Sequence, residues 1–122
     1  MELDLREKAA LLRVLGHPVR LAILIELSSG PKCVTDMQGL LDVQQANVSQ
    51  HLGALRHERI VDYHEDGKLR CYYLARPGLA KSLLKFIGGD YPVVPRSKEA
   101  VRRAGHKRAC AVKAAPGKAC ST

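Results

Sequence analysis

The chain has 122 residues, 46% of them apolar, with 20 Lys or Arg against 12 Asp or Glu and four cysteines. This length suits one small domain whose modest core gains from pairing with a second copy. No apolar run could span a bilayer, and Met1 to Glu7 is too charged for a secretion signal, so a cytoplasmic protein with no membrane partner and reduced thiols is expected. The net charge of +8 belongs to a tail: residues 1–95 hold 12 basic against 11 acidic side chains, whereas 96–122 hold 8 basic ones against Glu99 alone. That tail offers phosphates only a sequence-independent attraction.

In chain order, Leu5, Ala9, Leu11, Leu12 and Leu15 predict an amphipathic helix over Leu3 to Leu15, stopped by Gly16. Pro18 opens a second helix at the position proline tolerates best. Its run VRLAILIEL, through Leu27, is apolar nearly all round and so belongs at the centre of the core. Ser28, Ser29, Gly30 and Pro31 end it.

The stretch Cys33 to Arg59 reads as two helices broken by one tight turn. Val34, Met37, Leu40 and Leu41 recur at helical spacing, then Val48, Leu52 and Leu55 do so again, with Asp42 and Val43 between the runs. So short a connection brings the helices into contact at a steep angle. That is the geometry of a helix-turn-helix, and also of an ordinary helical hairpin inside a core. Composition favours the first: Gln45, Asn47, Ser49 and Gln50 can donate and accept toward base edges, and Arg56 and Arg59 follow. Gln44 stands where a Ser or Thr would cap the second helix, and glutamine caps poorly.

After Arg59 the period changes. Ile60 to Glu65 and Lys68 to Leu74 are strand-like, and Asp66 with Gly67 forms a two-residue hairpin signal. With those two residues as the loop, Glu65 faces Lys68, Tyr63 faces Arg70 and Val61 faces Tyr72. Lys68 and Arg70 near the tip are then placed to meet a sugar-phosphate backbone, though hairpin tips are commonly charged. Pro77 opens a last helix, Gly78 to Ile87, with one wide apolar side; Gly88 and Gly89 end it. The expected fold is mainly α with a small β-hairpin (α+β): a winged helix-turn-helix of five helices with the hairpin between the fourth and fifth. The first and last helices form its homodimer surface. Residues 1–90 make this domain, and 91–122 a basic, mobile tail with at most a short helix after Ser97.

RVLGHPVRLAIL, then CVTDMQGLLDVQQANVSQHLGALRHERIV, then DGKLRCYYL resemble the ArsR/SmtB family of metal- and metalloid-responsive repressors, over roughly residues 3 to 88. The resemblance rests on HPxRLxIL in one helix and VSxHLxxLR in a later one, ahead of a DG wing. It implies a homodimeric winged-helix repressor that leaves double-stranded operator DNA, an inverted repeat, when an inducer binds. It carries the DNA-reading positions over as Gln45, Ala46, Ser49 and Gln50, with a wing at Gly67, Lys68 and Arg70. His51 falls at the histidine of VSxHL, where it is expected to pack between helix and core.

The inducer follows from thiols. Arsenic sensors of the family often carry CVCDL, whereas this chain has Cys33, Val34, Thr35, Asp36, Met37, so the second thiolate of that chelate is missing. The last helix lacks the carboxylates and histidines of the family's other common site. Some relatives bind As(III) or Sb(III) through cysteines after the last helix, which points to Cys110 and Cys120, with Cys33 as a third ligand and Cys71 dispensable. Each thiol also has a plainer reading: Cys33 as a small buried hydrophobe, Cys71 as a strand filler, the tail pair as incidental. A persulfide- or redox-responsive repressor of the same fold is the alternative, and a winged-helix protein-interaction module without DNA is a second, kept open by the near-neutral charge of residues 1–95. The histidines at 17, 51, 57, 64 and 106 are scattered and no catalytic constellation appears, so an enzyme is not expected, nor any cofactor needed for folding.

Overall fold

A computed structural model describes residues 2–41 and 45–112, with side chains at 2–41 and 47–105. The expected turn at Asp42 and Val43, the cap at Gln44 and the thiol Cys120 lie outside the described residues. The chain divides into two compact units, Met1–Gly89 and Asp90–Thr122. The first contains α1 (Leu5–Leu15), α2 (Pro18–Ser28), β1 (Lys32–Cys33), α3 (Val34–Leu41), α4 (Gln45–His57), β2 (Val61–Asp66), β3 (Leu69–Leu74) and α5 (Pro77–Ile87), and is a winged helix-turn-helix. The second contains α6 (Lys98–Val112).

The helix starts are set by local hydrogen bonding. Asp4 caps α1, its carboxylate accepting the N–H groups of Arg6 (3.1 Å) and Glu7 (3.3 Å), so the helix begins two residues later than its apolar pattern suggested. His17 caps α2 through Nδ1, which accepts the N–H of Val19 at 3.0 Å, ahead of Pro18 in the first turn. α2 is the centre of the core: Ile23, Leu24 and Leu27 are buried, and the helix packs against α1, α3, α4, α5 and β3. Met37 of α3, Val48, Leu52 and Leu55 of α4, Ile60, Val61 and Tyr72 complete that core. Burying each large aliphatic side chain contributes about 1.5–3 kcal/mol, which holds α4 to α2 along one face.

Three expectations need correction. The sheet has three strands in the order β1-β3-β2, not two, because Lys32 and Cys33 pair antiparallel with Tyr72 and Cys71. Two residues are too few to show a strand period, so this pairing leaves no trace in the sequence. The hairpin closes one residue later than expected: Asp66 pairs with Leu69, so the loop is Gly67 and Lys68, and Tyr63 faces Tyr72 rather than Arg70. Gly67 has φ +65°, and Lys68 is not among the positive-φ residues, which is the pattern of a II′ turn with glycine at its first central position. Each partner moves by two residues, so the sides of the strands are kept and Val61 and Tyr72 still face the core. Finally, α6 runs for 15 residues, where at most a short helix was expected after Ser97. Ser97 starts it, its hydroxyl accepting the N–H of Ala100 at 3.1 Å, and the Ala-, Lys- and Arg-rich run that follows has high helix propensity.

Candidate nucleic-acid interface

The spacing of Val48, Leu52 and Leu55 turns one side of α4 wholly into the core, with none of the three exposed. The opposite side presents Asn47, Ser49, Gln50, Gly53 and Arg56 outward, so three of the expected base-reading residues are exposed. Gln45 and Ala46 are the first two residues of the same helix, and their side chains are outside the described set. Such a face can donate and accept hydrogen bonds without the desolvation cost that charged groups carry.

The wing stands beside this helix. Val34, Thr35, Ser49, Gly53, Arg56, Tyr63, Lys68, Leu69, Arg70 and Tyr72 line one cleft of 420 Å³, which brings the outward side of α4 and the tip of the hairpin together. Lys68 is exposed in the turn, and Arg70, also exposed, lies 3.9 Å from Glu65 and over the Tyr63 ring at 4.6 Å. Arg56 sits over the same ring at 4.5 Å and donates from Nε to Asp62 at 3.0 Å. That hydrogen bond, reinforced by the backbone N–H of Tyr63, holds the Asp62 carboxyl below its ordinary pKa and holds the Arg56 guanidinium above its own. Arg56, expected only as a DNA contact, therefore also braces the end of α4 against β2.

His51 lies half-buried on the inner flank of α4, its ring centroid 4.3 Å from that of His17 and its Nδ1 accepting from Arg20 Nε at 3.0 Å. Burial, then the charges of His17 and Arg20, push its pKa down, so it stays neutral and accepts. Arg20 also donates to the Val14 carbonyl at 3.1 Å, so one guanidinium ties α1, α2 and α4 together. The expected packing role of His51 is what this geometry describes.

Two features escaped the sequence reading. Arg59 takes φ 57° just after α4, where the N–H of Ile60 reaches the Leu55 carbonyl at 2.9 Å and that of Arg59 reaches Arg56 at 2.9 Å; glycine is the usual occupant of such a stop. The second is the meeting of Cys33 and Cys71, paired across β1 and β3 with their sulfurs 3.5 Å apart. Of the expected thiol ligands, Cys33 thus meets Cys71, the one set aside. Cys110 lies in α6 with its side chain outside the described set, and Cys120 lies beyond the described residues. Among the described residues, no three His, Cys, Asp or Glu side chains are grouped so as to hold a metal ion.

Known proteins resemble this chain over the same region. The model of the arsR family of bacterial regulatory proteins matches residues 17–63. The chain is 38% identical over 81 residues to the biofilm growth-associated repressor of Agrobacterium fabrum, covering 66% of this chain and 69% of that one. It is 39% identical over 77 residues to the HTH-type transcriptional repressor SmtB of Mycobacterium tuberculosis, covering 63% of this chain and 57% of that repressor. The crystal structure of the transcriptional repressor BigR from Xylella fastidiosa superposes with a TM-score of 0.59 at 31% identity, over 72% of this chain and 91% of that one. The α4 face, the wing and these relatives agree: the chain belongs to the ArsR/SmtB family of winged helix-turn-helix transcriptional regulators, which are not enzymes.

Proposed function

We propose that the protein is a homodimeric repressor that binds an imperfect inverted repeat in double-stranded DNA and leaves it when a thiophilic inducer, As(III) or Sb(III), is captured by cysteine thiolates. The observation that carries the DNA reading is the shared cleft: the polar outer side of α4 and the basic tip of the wing line one surface. In this reading Gln45, Ala46, Asn47, Ser49 and Gln50 read base edges, while Arg56, Lys68 and Arg70 hold the phosphate backbone. Dimerisation is supported by apolar side chains left outside: Leu5 and Leu12 on α1 are 72% and 64% exposed, and Phe86 and Ile87 on α5 are 60% and 46% exposed. The three relatives named above are transcriptional repressors or a growth-associated repressor, which supports the regulatory direction.

The inducer class rests on chemistry. A soft trivalent centre takes thiolates, the usual internal pair is broken by Thr35, and Cys110 and Cys120, with nine residues between them, can close a loop at modest entropic cost, with Cys33 as third ligand. The experiment is a titration of operator DNA with the reduced dimer, first against salt and then against arsenite and antimonite. It runs in parallel with the chain truncated after Pro95. Salt-dependent binding to an inverted repeat with half-sites about 34–36 Å apart, released by metalloid only in the full chain, is the expected result. Release at the same metalloid concentration by the truncated chain would move sensing away from the tail.

A further inference from the structure

The geometry points to a covalent modification site other than the proposed metalloid site, which takes Cys33 but not Cys71: Cys33 of β1 and Cys71 of β3 form a dithiol that a peroxide closes to a disulfide. The two residues are direct cross-strand partners, and their sulfurs lie 3.5 Å apart, in contact without a bond. Directly opposed antiparallel residues have Cα atoms about 4.5–5.5 Å apart, within the range a disulfide spans, so closure needs side-chain rotation rather than movement of a strand. Both thiols are half-buried, neither in the closed core nor fully in solvent.

The surroundings favour a two-sulfur reaction over metal capture. His64 is the cross-strand partner of Cys71 on its other side, but its ring is stacked on Tyr73, with centroids 5.3 Å apart and planes at 14°, and the three residues do not form a metal-holding group. The hydrogen bond to Cys71, then burial, then the charges of Cys71, Asp36 and Asp66 push the pKa of the Cys33 thiol up, and the first attack comes from whichever of the two sulfurs is deprotonated. One sulfur, as thiolate, displaces hydroxide from hydrogen peroxide and becomes a sulfenic acid, the hydroxide leaving as water with the thiol's proton. The other sulfur then attacks that sulfenic sulfur, and its own proton leaves with the displaced hydroxide as a second water. Two electrons pass from the sulfurs to the peroxide, and thiol reductants reverse the bond.

Closure has a mechanical consequence, which rests on the DNA-binding reading above. β1 ends at Cys33 and α3 begins at Val34 with no residue between, while Cys71 lies in the wing strand. Joining the sulfurs, 3.5 Å apart when reduced, ties the start of α3 to the wing strand beside the cleft shared by Val34, Thr35, Ser49 and Lys68. The start of α3 and the wing then no longer adjust independently when DNA enters that cleft, and operator affinity falls by at least about fivefold.

The test uses the full chain carrying Cys110→Ser and Cys120→Ser, so that only this pair can react. The reduced protein is treated with one equivalent of hydrogen peroxide, alkylated, weighed and digested, beside untreated wild type and the added single changes Cys33→Ser and Cys71→Ser. Expected are the loss of two hydrogens, one cross-linked peptide pair containing Cys33 and Cys71, reversal by dithiothreitol and a thermal midpoint raised by roughly 5–10 °C. Neither single change should yield the cross-link. Overturning results are alkylation of both thiols after treatment, or separate oxidation to sulfinic acids with no cross-linked peptide. Reduced and oxidised forms are then compared on operator DNA. If the cross-link forms and neither form binds DNA, the repressor reading fails while the disulfide site stands. Equal binding by both forms overturns the coupling.

Discussion

Helices α4 and α5 both rest one side on α2, yet they present opposite chemistry outward. α4 shows Asn47, Ser49, Gln50 and Arg56, whereas α5 leaves Phe86 and Ile87 exposed. A polar outer side costs nothing to leave in water and suits a ligand read by hydrogen bonds. An apolar outer side is stabilised by being covered, and α1 repeats the pattern with Leu5 and Leu12. In the proposed reading, a domain this small separates its two contacts by chemistry: α4 and the wing toward DNA, α1 and α5 toward a second copy.

Breaking the apolar side should have the largest effect. With Leu12→Lys and Ile87→Lys together, the protein is expected to sediment as a monomer and to lose at least about a hundredfold in operator affinity, because two half-sites no longer reinforce one another. A variant that stayed dimeric would place the contact elsewhere. Next in size is the inner side of α4, where Leu52 has no exposure; Leu52→Ala should lower unfolding stability by about 2–5 kcal/mol in denaturant titrations.

The outer side of α4 and the wing should then part company. Gln50→Ala is expected to relax base preference, at about 1–3 kcal/mol of discrimination, in competition with altered operators. Lys68→Ala should weaken all sequences alike and lower the salt slope by about 1. Should Lys68→Ala leave the slope untouched, the wing does not meet phosphate.

The smallest effects concern how α4 is held. His51 has a folded pKa below the ordinary 6.5, so the unfolded chain takes up the proton first. The stability it contributes is present above about pH 6.5 and is lost as pH falls below that value. Thermal midpoints measured from pH 7.5 down to 5 should decline, and His51→Gln, which keeps an acceptor for Arg20, should flatten that decline. Arg59→Gly should gain about 1 kcal/mol by relieving the positive φ, seen as a raised denaturation midpoint.

The sequence by itself determined the helices of the first unit and the inner side of α4, because apolar spacing, Pro18, Pro77 and the glycine stops act within a few residues. It also identified the family, through motifs lying on those same elements. Hairpin register was only half legible. Asp66-Gly67 and Gly67-Lys68 are both acceptable loops locally, and the choice fell to the pairing of Tyr63 with Tyr72, whose rings lie 5.2 Å apart. The positive φ at Arg59 had no glycine to announce it. The meeting of Cys33 with Cys71 belongs to tertiary structure alone: 38 positions separate them, the strand that carries Cys33 has only two residues, and no local preference links them. In the packed domain β1 takes the edge of β3 that β2 leaves open, and a thiol that reads as a strand filler acquires a partner.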